Sequence, residues 1–257
     1  MGNPKLSIIT AVYDRVETIA SAIDSLQNQS YSSVEHVIID GASTDGSLNV
    51  IKAKMNKNVI LISEPDDGIY DALNKGLANT TGEIVGFLHS DDYFADRSVL
   101  ADVVTLFDDP TVDAVYGDLA YIANSDQLRV IRYWRAGFYS MSKLKMGWMP
   151  PHPTLFVRRS VIENWGDFNT SYHISADYDI ILRYFVTGKI NAVYLPRVLV
   201  NMRIGGESNR SLGRIWVKTC EDYRAMRSNN TGGIGALLWK NFSKIVQFTR
   251  KTGYLNE

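Results

Sequence analysis

The sequence predicts an α/β fold in which a mostly parallel sheet is flanked by helices and followed by a helical C-terminal extension. Over roughly the first 90 residues, four short apolar segments rich in β-branched residues alternate with segments of helical periodicity. Continuous apolar runs of this kind are typical of strands that are buried on both faces. Their alternation with helices indicates a parallel sheet that is covered on both sides. A chain of 257 residues is long enough for one such domain and a helical appendage.

The first half of the chain supplies the four strands of this prediction. They span residues 6–12, 34–40, 58–63 and 84–88. A helix is predicted after each of the first three strands. The first helix carries Ile19, Ile23 and Leu26 at spacings of four and three, the second spans 48–55, and the third follows the cap residues at 66–68.

The second half of the chain is less regular. The predicted elements are a helix at 98–107, strands at 114–118, 154–157, 190–195 and 198–202, a hairpin that joins 119–122 to 128–131 through Asn-Ser-Asp, and a helix at 175–186. From Glu207 onward the pattern is helical, with a break at 229–233. We therefore divide the chain into a sheet-containing domain, 1–205, and a helical extension, 206–257.

The fourth predicted strand ends in two adjacent carboxylates, Asp91 and Asp92. In open α/β sheets, ligands bind at the carboxyl ends of the strands. Mg²⁺ and Mn²⁺ prefer carboxylate oxygens together with the oxygens of a bound phosphate. The pair therefore indicates a metal that holds a diphosphate. A turn is the alternative, because Asp also favours turns and helix caps.

The charge of the chain is unevenly distributed. Residues 1–202 carry a net charge of −7, and the segment from Arg203 onward carries +6. The basic segment suits an anionic partner such as a membrane surface, whereas the acidic body argues against nucleic acid. The single Cys220 fits a reducing compartment, and no apolar run reaches the roughly 18 residues of a membrane-spanning helix. We expect a cytoplasmic protein, with peripheral contact at the inner face of the cytoplasmic membrane as a further hypothesis.

Four motifs in order carry a resemblance to a known family. They are LSIITAVYD at 6–14, DGASTDGS at 40–47, GIYDALNKG at 68–76 and HSDD at 89–92. With this order and spacing, the sequence resembles family 2 glycosyltransferases of the GT-A (nucleotide-diphospho-sugar transferase) fold. It looks most similar to the bacterial enzymes that build O-antigen, capsule or exopolysaccharide units. The resemblance implies an inverting transferase with a nucleotide-sugar half at 1–118 and an acceptor half at 119–205.

The resemblance also implies how a nucleotide would be bound. Asp40, at the end of the second strand, would form a hydrogen bond with the base, and Thr10 and Tyr13 would line the nucleotide pocket. The residues that would reach the base or the phosphates from the third helix are Asp67, Asn74 and Lys75. Capping of the following helices is the alternative for Asp40 and Asp67, although both lie at the expected ligand edge of the sheet.

The family's Asp-x-Asp metal motif corresponds to His89-Ser90-Asp91 in this sequence. Asp91 would ligate Mg²⁺ or Mn²⁺, which would stabilise the departing diphosphate as a Lewis acid. His89 replaces the first acid, so either it bonds the ribose beside Ser90 while the metal relies on Asp91, or metal affinity is reduced. Asp92 is assigned to the metal site as well, and an N-cap of the next helix is its alternative.

An inverting displacement needs a general base that takes the proton of the acceptor hydroxyl. The family places this base at the start of a helix, which the resemblance maps to Asp177. The usual preceding Glu is Ala176 here. Acids also occur in a first helical turn because they complement the helix dipole, and this explanation suits Asp179 equally well.

Three further residues are candidates for the site. His152, which lies between prolines, falls where the family places acceptor-side or diphosphate-contacting residues. Trp148 is assigned to the acceptor side because it lies in a basic and aromatic segment at 129–149, which could meet a lipid diphosphate or sugar rings. A structural role is the alternative for His152. Arg203 resembles a family segment that folds over the diphosphate, which a guanidinium can bind in a bidentate manner.

The segment 234–248 is amphipathic. One face is predicted to carry Ile234, Leu237, Leu238, Phe242, Ile245 and Val246, with Lys240, Lys244, Arg250 and Lys251 around the rest. Such a helix can lie in an anionic membrane interface. Packing of the apolar face on the domain or on a second subunit, as in a homodimer, is the alternative.

These observations predict a metal-dependent, inverting transfer of a hexose from a UDP-sugar to a free or lipid-linked saccharide acceptor. A sugar nucleotidyltransferase is one alternative, but it would need a glycine-rich basic loop after the first strand, where the sequence has Ala11-Val12-Tyr13-Asp14. A degenerate, glycan-binding or scaffold protein is another. His89 and Ala176 favour that alternative, whereas Asp91 and Asp177 argue against it.

Overall fold

The protein is described by a computed structural model that covers residues 3–123, 129–204, 212–237 and 239–240. The strands are β1 Leu6–Val12, β2 Val34–Asp40, β3 Val59–Ser63, β4 Ile84–Phe87, β5 Tyr93–Phe94, β6 Ala114–Ile122, β7 Val130–Trp134, β8 Phe156–Arg158 and β9 Ala192–Arg203. The helices are α1 Ile19–Gln27, α2 Ser47–Ala53, α3 Ile69–Ala78, α4 Val99–Leu106, α5 Met141–Lys145, α6 Arg159–Trp165, α7 Ala176–Leu182 and α8 Leu212–Ser228. A 3₁₀ turn, His152–Thr154, precedes β8, and a π-helical turn, Arg183–Thr187, continues α7.

The described strands form one sheet in the order β3-β2-β1-β4-β8-β6-β9-β5, with β7 paired to β6. The first four strands in this order are parallel, as the alternation of strands and helices predicted. Beyond β4 the sheet is mixed, because β8 runs antiparallel to both β4 and β6 while β6 and β9 are parallel. The predicted α/β class is confirmed, and the parallel part is the half nearest the N-terminus.

Two apolar clusters cover the two faces of the sheet. Neighbouring residues of a strand point to opposite faces, so Ile9 and Ile39 lie in the cluster beneath α3 and α7, whereas Ile8 and Ile38 lie in the cluster beneath α1 and α4. Every residue of β1 is buried except Ala11, which is partly exposed. This double coverage explains why the strands read as continuous apolar runs.

The sequence prediction differs from the structure in several elements of the second half. The two strands predicted at 190–195 and 198–202 are one strand, β9, whose register with β6 shifts between Leu195 and Val198. Pro196 lies at this irregularity, where strand pairing is already interrupted and the missing N–H of proline removes no regular hydrogen bond between the strands. The helix predicted at 175–186 is α7 followed by the π-helical turn. The predicted Asn-Ser-Asp turn and the residues from 241 onward lie outside the described residues.

The helix α8 packs against the sheet domain through α7 rather than standing apart from it. Its buried residues include Glu221, Asp222, Ala225 and Met226. Within the described residues, no helix combines the length and hydropathy that a membrane span requires. The C-terminal extension therefore contributes to the domain at least as far as α8.

Candidate functional site

A cleft of about 2220 Å³ opens where β1 and β4 end, and residues that precede or belong to α7 and α8 form its opposite wall. This position is the ligand edge expected for an open α/β sheet. The residues predicted from the sequence that line it are Tyr13, His89, Ser90, Asp91, Asp92, Trp148, His152, Asp177 and Arg203. The structure thus brings residues from positions 13 to 203 of the chain into one cavity.

Thr10 and Asp40, two residues predicted to contact the nucleotide, lie behind the cleft wall. Both are fully buried. The Thr10 hydroxyl lies 2.9 Å from Nε2 of His36, and the Asp40 carboxylate accepts a 2.6 Å hydrogen bond from the hydroxyl of Ser63. Asp40 also accepts from the backbone N–H of Ser43. The polar atoms of both side chains are therefore engaged within the protein, and those of Asp40 help to shape the loop after β2. Contact of Thr10 or Asp40 with a nucleotide stays a prediction.

Hydrogen bonds join the loop after β1 to the loop after β2. Asp14 has a left-handed backbone conformation, φ 50°, and its carboxylate accepts from the backbone N–H of Thr44 at 2.8 Å and of Asp45 at 3.3 Å. The backbone N–H of Asp14 in turn donates to the Ser43 hydroxyl. Tyr13, beside it, is 62% exposed and lines the cleft. The two loops therefore form one wall, with an aromatic ring free to contact a ligand.

Asp66, rather than its neighbour Asp67, faces the cleft. Asp66 and Gly41 both line it, and a Cβ at Gly41 would collide with the Asp66 carboxylate. Asp67 is exposed and is not among the lining residues, and its backbone N–H donates to Asp71. The acidic pair was recognised in the sequence, but the placement favours Asp66 as the member that meets a nucleotide.

The helix α3 uses Asn74 and Lys75 for contacts outside the cleft. The Asn74 side chain makes two hydrogen bonds to the backbone of Phe168, of 2.8 and 3.0 Å. Lys75 donates to the carbonyl of Pro65 and pairs with Glu64 and Asp71. Neither residue lines the cleft. Their sequence-predicted reach to the base or phosphates stays untested, and the structure gives each a different role.

The loop after β4 carries Asp91 into the cleft and is held in place by Arg203. The guanidinium donates to the backbone carbonyl of Asp91 at 2.7 Å and to the hydroxyl of Ser21 at 2.9 Å. It also lies over the ring of Tyr93, 5.1 Å from its centroid. Asp91 itself is partly exposed. Arg203 thus joins the end of β9 to α1 and to the loop that presents Asp91.

Asp92 has an environment opposite to that of Asp91. It is 1% exposed, and neither carboxylate oxygen makes a hydrogen bond with a described residue. Burial, and then the neighbouring charge of Asp91, raises its pKa well above the usual value, and Arg203 offsets this only in part. The alternative of an N-cap is wrong, because the next helix, α4, begins at Val99 with Ser98 as its N-cap.

The residues present fit a divalent cation that is held mainly by its substrate. Within the described ranges, no three His, Cys, Asp or Glu side chains converge as a metal-binding group. Mg²⁺ is commonly bound through one or two carboxylates together with substrate phosphates, and Asp91 and Asp92 are the carboxylates of this loop. The cleft therefore offers one accessible carboxylate, with the remaining ligands left to phosphate oxygens and water.

Two histidines face each other across the floor of the cleft. The ring centroids of His89 and His152 are 6.1 Å apart, and His152 stacks on Phe87 at 5.0 Å. His152 is buried, and burial lowers its pKa to about 4, with Asp177 opposing that shift. Its Nε2 has no hydrogen-bond partner among the described residues. His152 is therefore a neutral ring with one nitrogen available inside the cleft.

Asp177 and Asp179, the two acids in the first turn of α7, have different surroundings. Asp177 lines the cleft and is partly exposed, and its Oδ1 accepts from the backbone N–H of Tyr178. Asp179 is buried, pairs with Arg183 at 2.8 Å and accepts from Asn229 at 3.0 Å. The structural explanation therefore suits Asp179, and Asp177 is the acid that a substrate can reach.

Another part of the cleft lining, formed by β6, β7 and the residues after β7, is basic and aromatic. Arg132 lies over the ring of Tyr121 at 4.7 Å and over that of Trp134 at 5.8 Å. Trp148 is anchored by its indole N–H to the carbonyl of Ala136 at 2.9 Å, and Lys143 adds a positive charge nearby in the lining. This wall offers ring faces to a sugar and cations to a phosphate.

The C-terminal segment completes the cleft in a way that the amphipathic pattern did not predict. Lys240, expected on the exposed side, is 3% exposed, pairs with Asp222 at 2.9 Å and lies over the ring of Tyr178. Ile234, expected on the apolar face, is 67% exposed. A buried lysine is tolerated here because a carboxylate and an aromatic face compensate its charge. Residues 241–251 of the predicted pattern lie outside the described residues.

Sequence reasoning missed several residues of the site. Asp14, Asp66 and Tyr70 line the cleft. Asp14 and Tyr70 belong to motifs already recognised, and Asp66 is one of the cap residues predicted at 66–68, so a closer reading of these stretches would have found them. Arg132 lies in the basic and aromatic segment at 129–149 that the sequence had singled out, whereas Lys218 gave no comparable signal. Glu221 and Asp222 bond to the segment that precedes Asp177. Because these two acids lie on an ordinary helix, their role depends on tertiary packing alone.

Comparison with known proteins gives a consistent set of relatives. The model of the family described as "Glycosyl transferase family 2" matches residues 7–166. A "PGL/p-HBAD biosynthesis glycosyltransferase" of Mycobacterium bovis is 29% identical over 223 residues, covering 85% of this chain and 84% of that protein. An uncharacterized glycosyltransferase of Mycobacterium tuberculosis is 30% identical over 184 residues, 70% of this chain and 68% of that protein.

Solved structures share the fold. TarS of S. aureus in complex with UDP-GlcNAc superimposes with a TM-score of 0.67 at 19% identity, covering 88% of this chain and 65% of that one. A mannosyltransferase of Pyrobaculum calidifontis in complex with GDP-Man and Mn²⁺ superimposes with a TM-score of 0.66 at 18% identity, covering 98% and 77%. At this identity the likeness establishes the fold, which is that of nucleotide-sugar transferases.

Proposed function

Because the chain belongs to glycosyl transferase family 2, and is therefore a glycosyltransferase of the GT-A fold, we propose that it transfers a hexose from a UDP-sugar to a saccharide acceptor with inversion. The observation that carries this proposal is that Asp91 and Asp177 line the same cleft. Each is the accessible member of an acidic pair whose other member, Asp92 or Asp179, is buried. This difference in exposure supports a donor side at Asp91 and an acceptor side at Asp177.

The donor site would lie against the loops after β1, β2 and β4. Tyr13 and Asp66 would meet the nucleotide, and Asp91 would hold Mg²⁺ or Mn²⁺ together with the diphosphate. When bound, the cation would stabilise negative charge on the departing UDP. Relatives of the fold have been solved with UDP-GlcNAc and with GDP-Man, so the choice of UDP is part of the proposal.

In the proposed reaction, Asp177 acts as the general base. An acceptor hydroxyl oxygen attacks the anomeric carbon from the face opposite the diphosphate, forming the new C–O bond as the bond from that carbon to the phosphate oxygen breaks. The hydroxyl proton passes to the Asp177 carboxylate, and UDP departs with the electron pair. The single displacement inverts the anomeric configuration.

His152 is a second titratable group that interacts with Asp177, and its properties suit a neutral role. Its pKa of about 4 makes it a weak proton acceptor at neutral pH. It would orient a substrate hydroxyl through the ring nitrogen that lacks a protein partner. Asp177 thus remains the better base of the two.

We propose that the acceptor is lipid-linked, with a polyprenyl diphosphate as the carrier, as in the synthesis of a bacterial surface polysaccharide such as an O-antigen. The basic and aromatic wall of Arg132, Trp134 and Lys143 supports this, because it combines ring faces with cations. On the rim, α8 exposes Ile215 and Trp216 beside Arg214, a composition that suits peripheral contact with an anionic membrane.

The first test is calorimetric titration of UDP in the presence of Mn²⁺, with GDP as the nucleotide control. We expect UDP to bind with a Kd in the range of about 1–100 μM, a range ordinary for enzyme substrates. Binding should weaken at least about tenfold in EDTA or in Asp91→Asn, because the diphosphate then loses its cation. Asp96→Asn, whose carboxylate pairs with Arg197 outside the cleft, is the matched control and should bind UDP normally.

Failure of both UDP and GDP to bind with metal present would contradict the donor proposal and favour the degenerate, glycan-binding alternative. If UDP binds, transfer is tested with a panel of UDP-hexoses and a polyprenyl-diphosphate-linked sugar. The anomeric configuration of the product is read by NMR. A product that retains the donor's configuration would contradict the single displacement at Asp177.

A further inference from the structure

The segment 173–175, which leads into the first turn of α7, is bonded to a carboxylate of α8. Three successive backbone N–H groups donate to Glu221. His173 donates to Oε1 at 2.8 Å, and Ile174 and Ser175 donate to Oε2 at 2.8 and 3.0 Å. Glu221 is buried. Both carboxylate oxygens of Glu221 thus accept hydrogen bonds from this one segment, which ends two residues before Asp177.

The next residue of α8 bonds the same segment. Asp222 accepts a 2.8 Å hydrogen bond from the hydroxyl of Ser175, the N-cap residue of α7. Ser175 does not cap its own helix with this side chain, although N-cap serines commonly do so. The other oxygen of Asp222 pairs with buried Lys240 at 2.9 Å. The hydroxyl of Ser175 therefore forms its hydrogen bond with α8 and not with the first turn of its own helix.

A third contact holds the segment from the donor half of the molecule. The hydroxyl of Tyr70, on α3, donates to the backbone carbonyl of Ile174 at 2.6 Å. Tyr70 stacks on Phe168 with ring centroids 5.6 Å apart and lines the cleft. The segment is thus fixed between α3 and α8, and Asp177 follows it without an intervening loop.

We propose that Glu221 and Asp222 are positioning residues for Asp177, which they keep in place by holding the 173–175 segment. The inference rests on the proposed role of Asp177 as a base. A base must lie within hydrogen-bond reach of its proton, and a displacement of about 1 Å costs on the order of 100-fold in rate. Without the Glu221 carboxylate, three backbone N–H groups, of which that of Ser175 is buried and the other two are partly buried, would lose their acceptor, and the segment would shift to satisfy them.

This function for α8 lies outside the part of the chain that the family model matches. That match ends at residue 166, before both α7 and α8. The same helix also contributes Arg214, Val217 and Lys218 to the cleft lining. The helix α8 therefore serves the site twice, as part of its wall and as the support of its base.

Glu221→Gln tests the proposal, with Glu163→Gln on the exposed face of α6 as the matched control. The amide retains a single acceptor oxygen, so part of the three-bond pattern is lost. We expect kcat to fall by about 10- to 100-fold, while the calorimetric Kd for UDP stays within about twofold of wild type. Amide hydrogen exchange at residues 173–175 should become faster in Glu221→Gln and should be unchanged in the control.

Ser175→Ala is the second variant and removes one hydroxyl bond to Asp222 without leaving a charge unpaired. It should lower kcat by a smaller factor in the same direction, again with UDP binding intact. It also keeps the test decisive if Glu221→Gln does not fold.

Two outcomes overturn the positioning role. If the exchange of 173–175 is unchanged in the variants, the contacts do not hold the segment. If exchange rises while kcat per folded molecule stays at the wild-type value, the contacts hold the segment without serving the reaction. A wild-type protein that binds UDP and transfers no sugar instead contradicts the proposed function, and it is recognised before any variant is made.

Discussion

The proposed donor side and the proposed base side of the cleft are built in different ways. On the donor side, the loops after β1 and β2 bond to each other through Asp14, Ser43 and Thr44, all of which belong to motifs at strand ends. On the base side, the segment before Asp177 bonds to Glu221, 46 to 48 residues later, and to Tyr70, 104 residues earlier. The donor side is thus a property of the sheet edge, whereas the base side is a property of how helices pack.

The difference indicates which substitutions should affect nucleotide binding and which should affect the rate of transfer. Donor-side residues are supported by neighbours that any such sheet brings together, so we expect substitutions there to act mainly on nucleotide binding. Base-side residues are supported from α3 and α8 at once, so substitutions should act on the rate of transfer. The experiments below separate the two effects, in order of their expected size.

The largest effect should follow Asp177→Asn. Loss of a general base lowers kcat by a factor of about 10² to 10⁴. The donor side does not depend on this carboxylate, so the Kd for UDP should stay near the wild-type value. Asp179→Asn would instead break a buried pair with Arg183, and its main effect should be on thermal stability. A normal kcat in Asp177→Asn would assign the base elsewhere.

The next effect concerns pH and compares one buried histidine from each side of the site. Burial lowers the pKa of His36, behind the donor wall, to about 3 and that of His152 to about 4. As the pH falls, each histidine becomes protonated near its ordinary pKa of 6.5 in the unfolded chain, but only at a lower pH in the folded chain. Each residue therefore contributes stability above pH 6.5 that is lost as the pH falls toward its folded pKa, amounting to about 2 kcal/mol at pH 5.

Urea denaturation at pH 7 and pH 5 checks this prediction in wild type, His36→Gln and His152→Gln. Each variant should lose less stability than wild type between the two pH values. Asp92 acts in the opposite direction, because its raised pKa lets the folded state bind the proton first, but its contribution is common to all three proteins. An unchanged pH dependence in both variants would mean that neither ring is buried as a neutral group.

A smaller effect distinguishes the two acids that follow Pro65. Asp66→Asn should weaken UDP binding by about tenfold, the loss expected for one charge-assisted hydrogen bond. Asp67→Asn should leave the Kd for UDP unchanged, because Asp67 lies outside the cleft lining. The reverse result would favour the sequence prediction over the placement in the structure. Calorimetry with Mn²⁺ present measures both.

The smallest effect is expected for Lys75→Gln. Lys75 pairs with Glu64 and Asp71 on the protein surface, and such exposed pairs contribute little to stability. Stability and UDP binding should therefore both stay close to wild type. A large loss of UDP affinity would show that Lys75 leaves its ion pairs to bind phosphate, as the sequence predicted.

The parallel half of the fold could be predicted from the sequence because its signals are local. The predicted bounds of β1 and β2 agree with the structure, and those of β3 and β4 differ by one residue. The short helices α5 and α6 were missed, and β5 was missed because it depends on a distant partner. β5 has two residues and pairs with Val200 and Asn201 of β9, and no pattern of two residues can indicate a strand.

The site could be predicted where a recognised motif indicates the residue, as for Asp91 after β4 and Asp177 at the start of α7, which the structure places in the cleft. It could not be predicted where a second contact decides the direction of a side chain. Asn74 lies on the motif helix, yet its amide bonds the backbone of Phe168, 94 residues away. Asp40 ends the right strand, yet Ser63 of β3 draws its carboxylate into the sheet. Periodicity and spacing carry no information about such partners.

The bonds from Glu221 and Asp222 to the 173–175 segment also define what can be exchanged between related proteins. A chimera joined between α7 and α8 would combine a base segment from one parent with supporting carboxylates from another, and it should retain nucleotide binding but lose turnover. A junction before β6 would leave Tyr70 with the donor parent and α7, α8 and Lys240 together in the other. The interchangeable module on the acceptor side thus extends from Ala114 at least to Lys240, and its recipient must supply a tyrosine at the position of Tyr70.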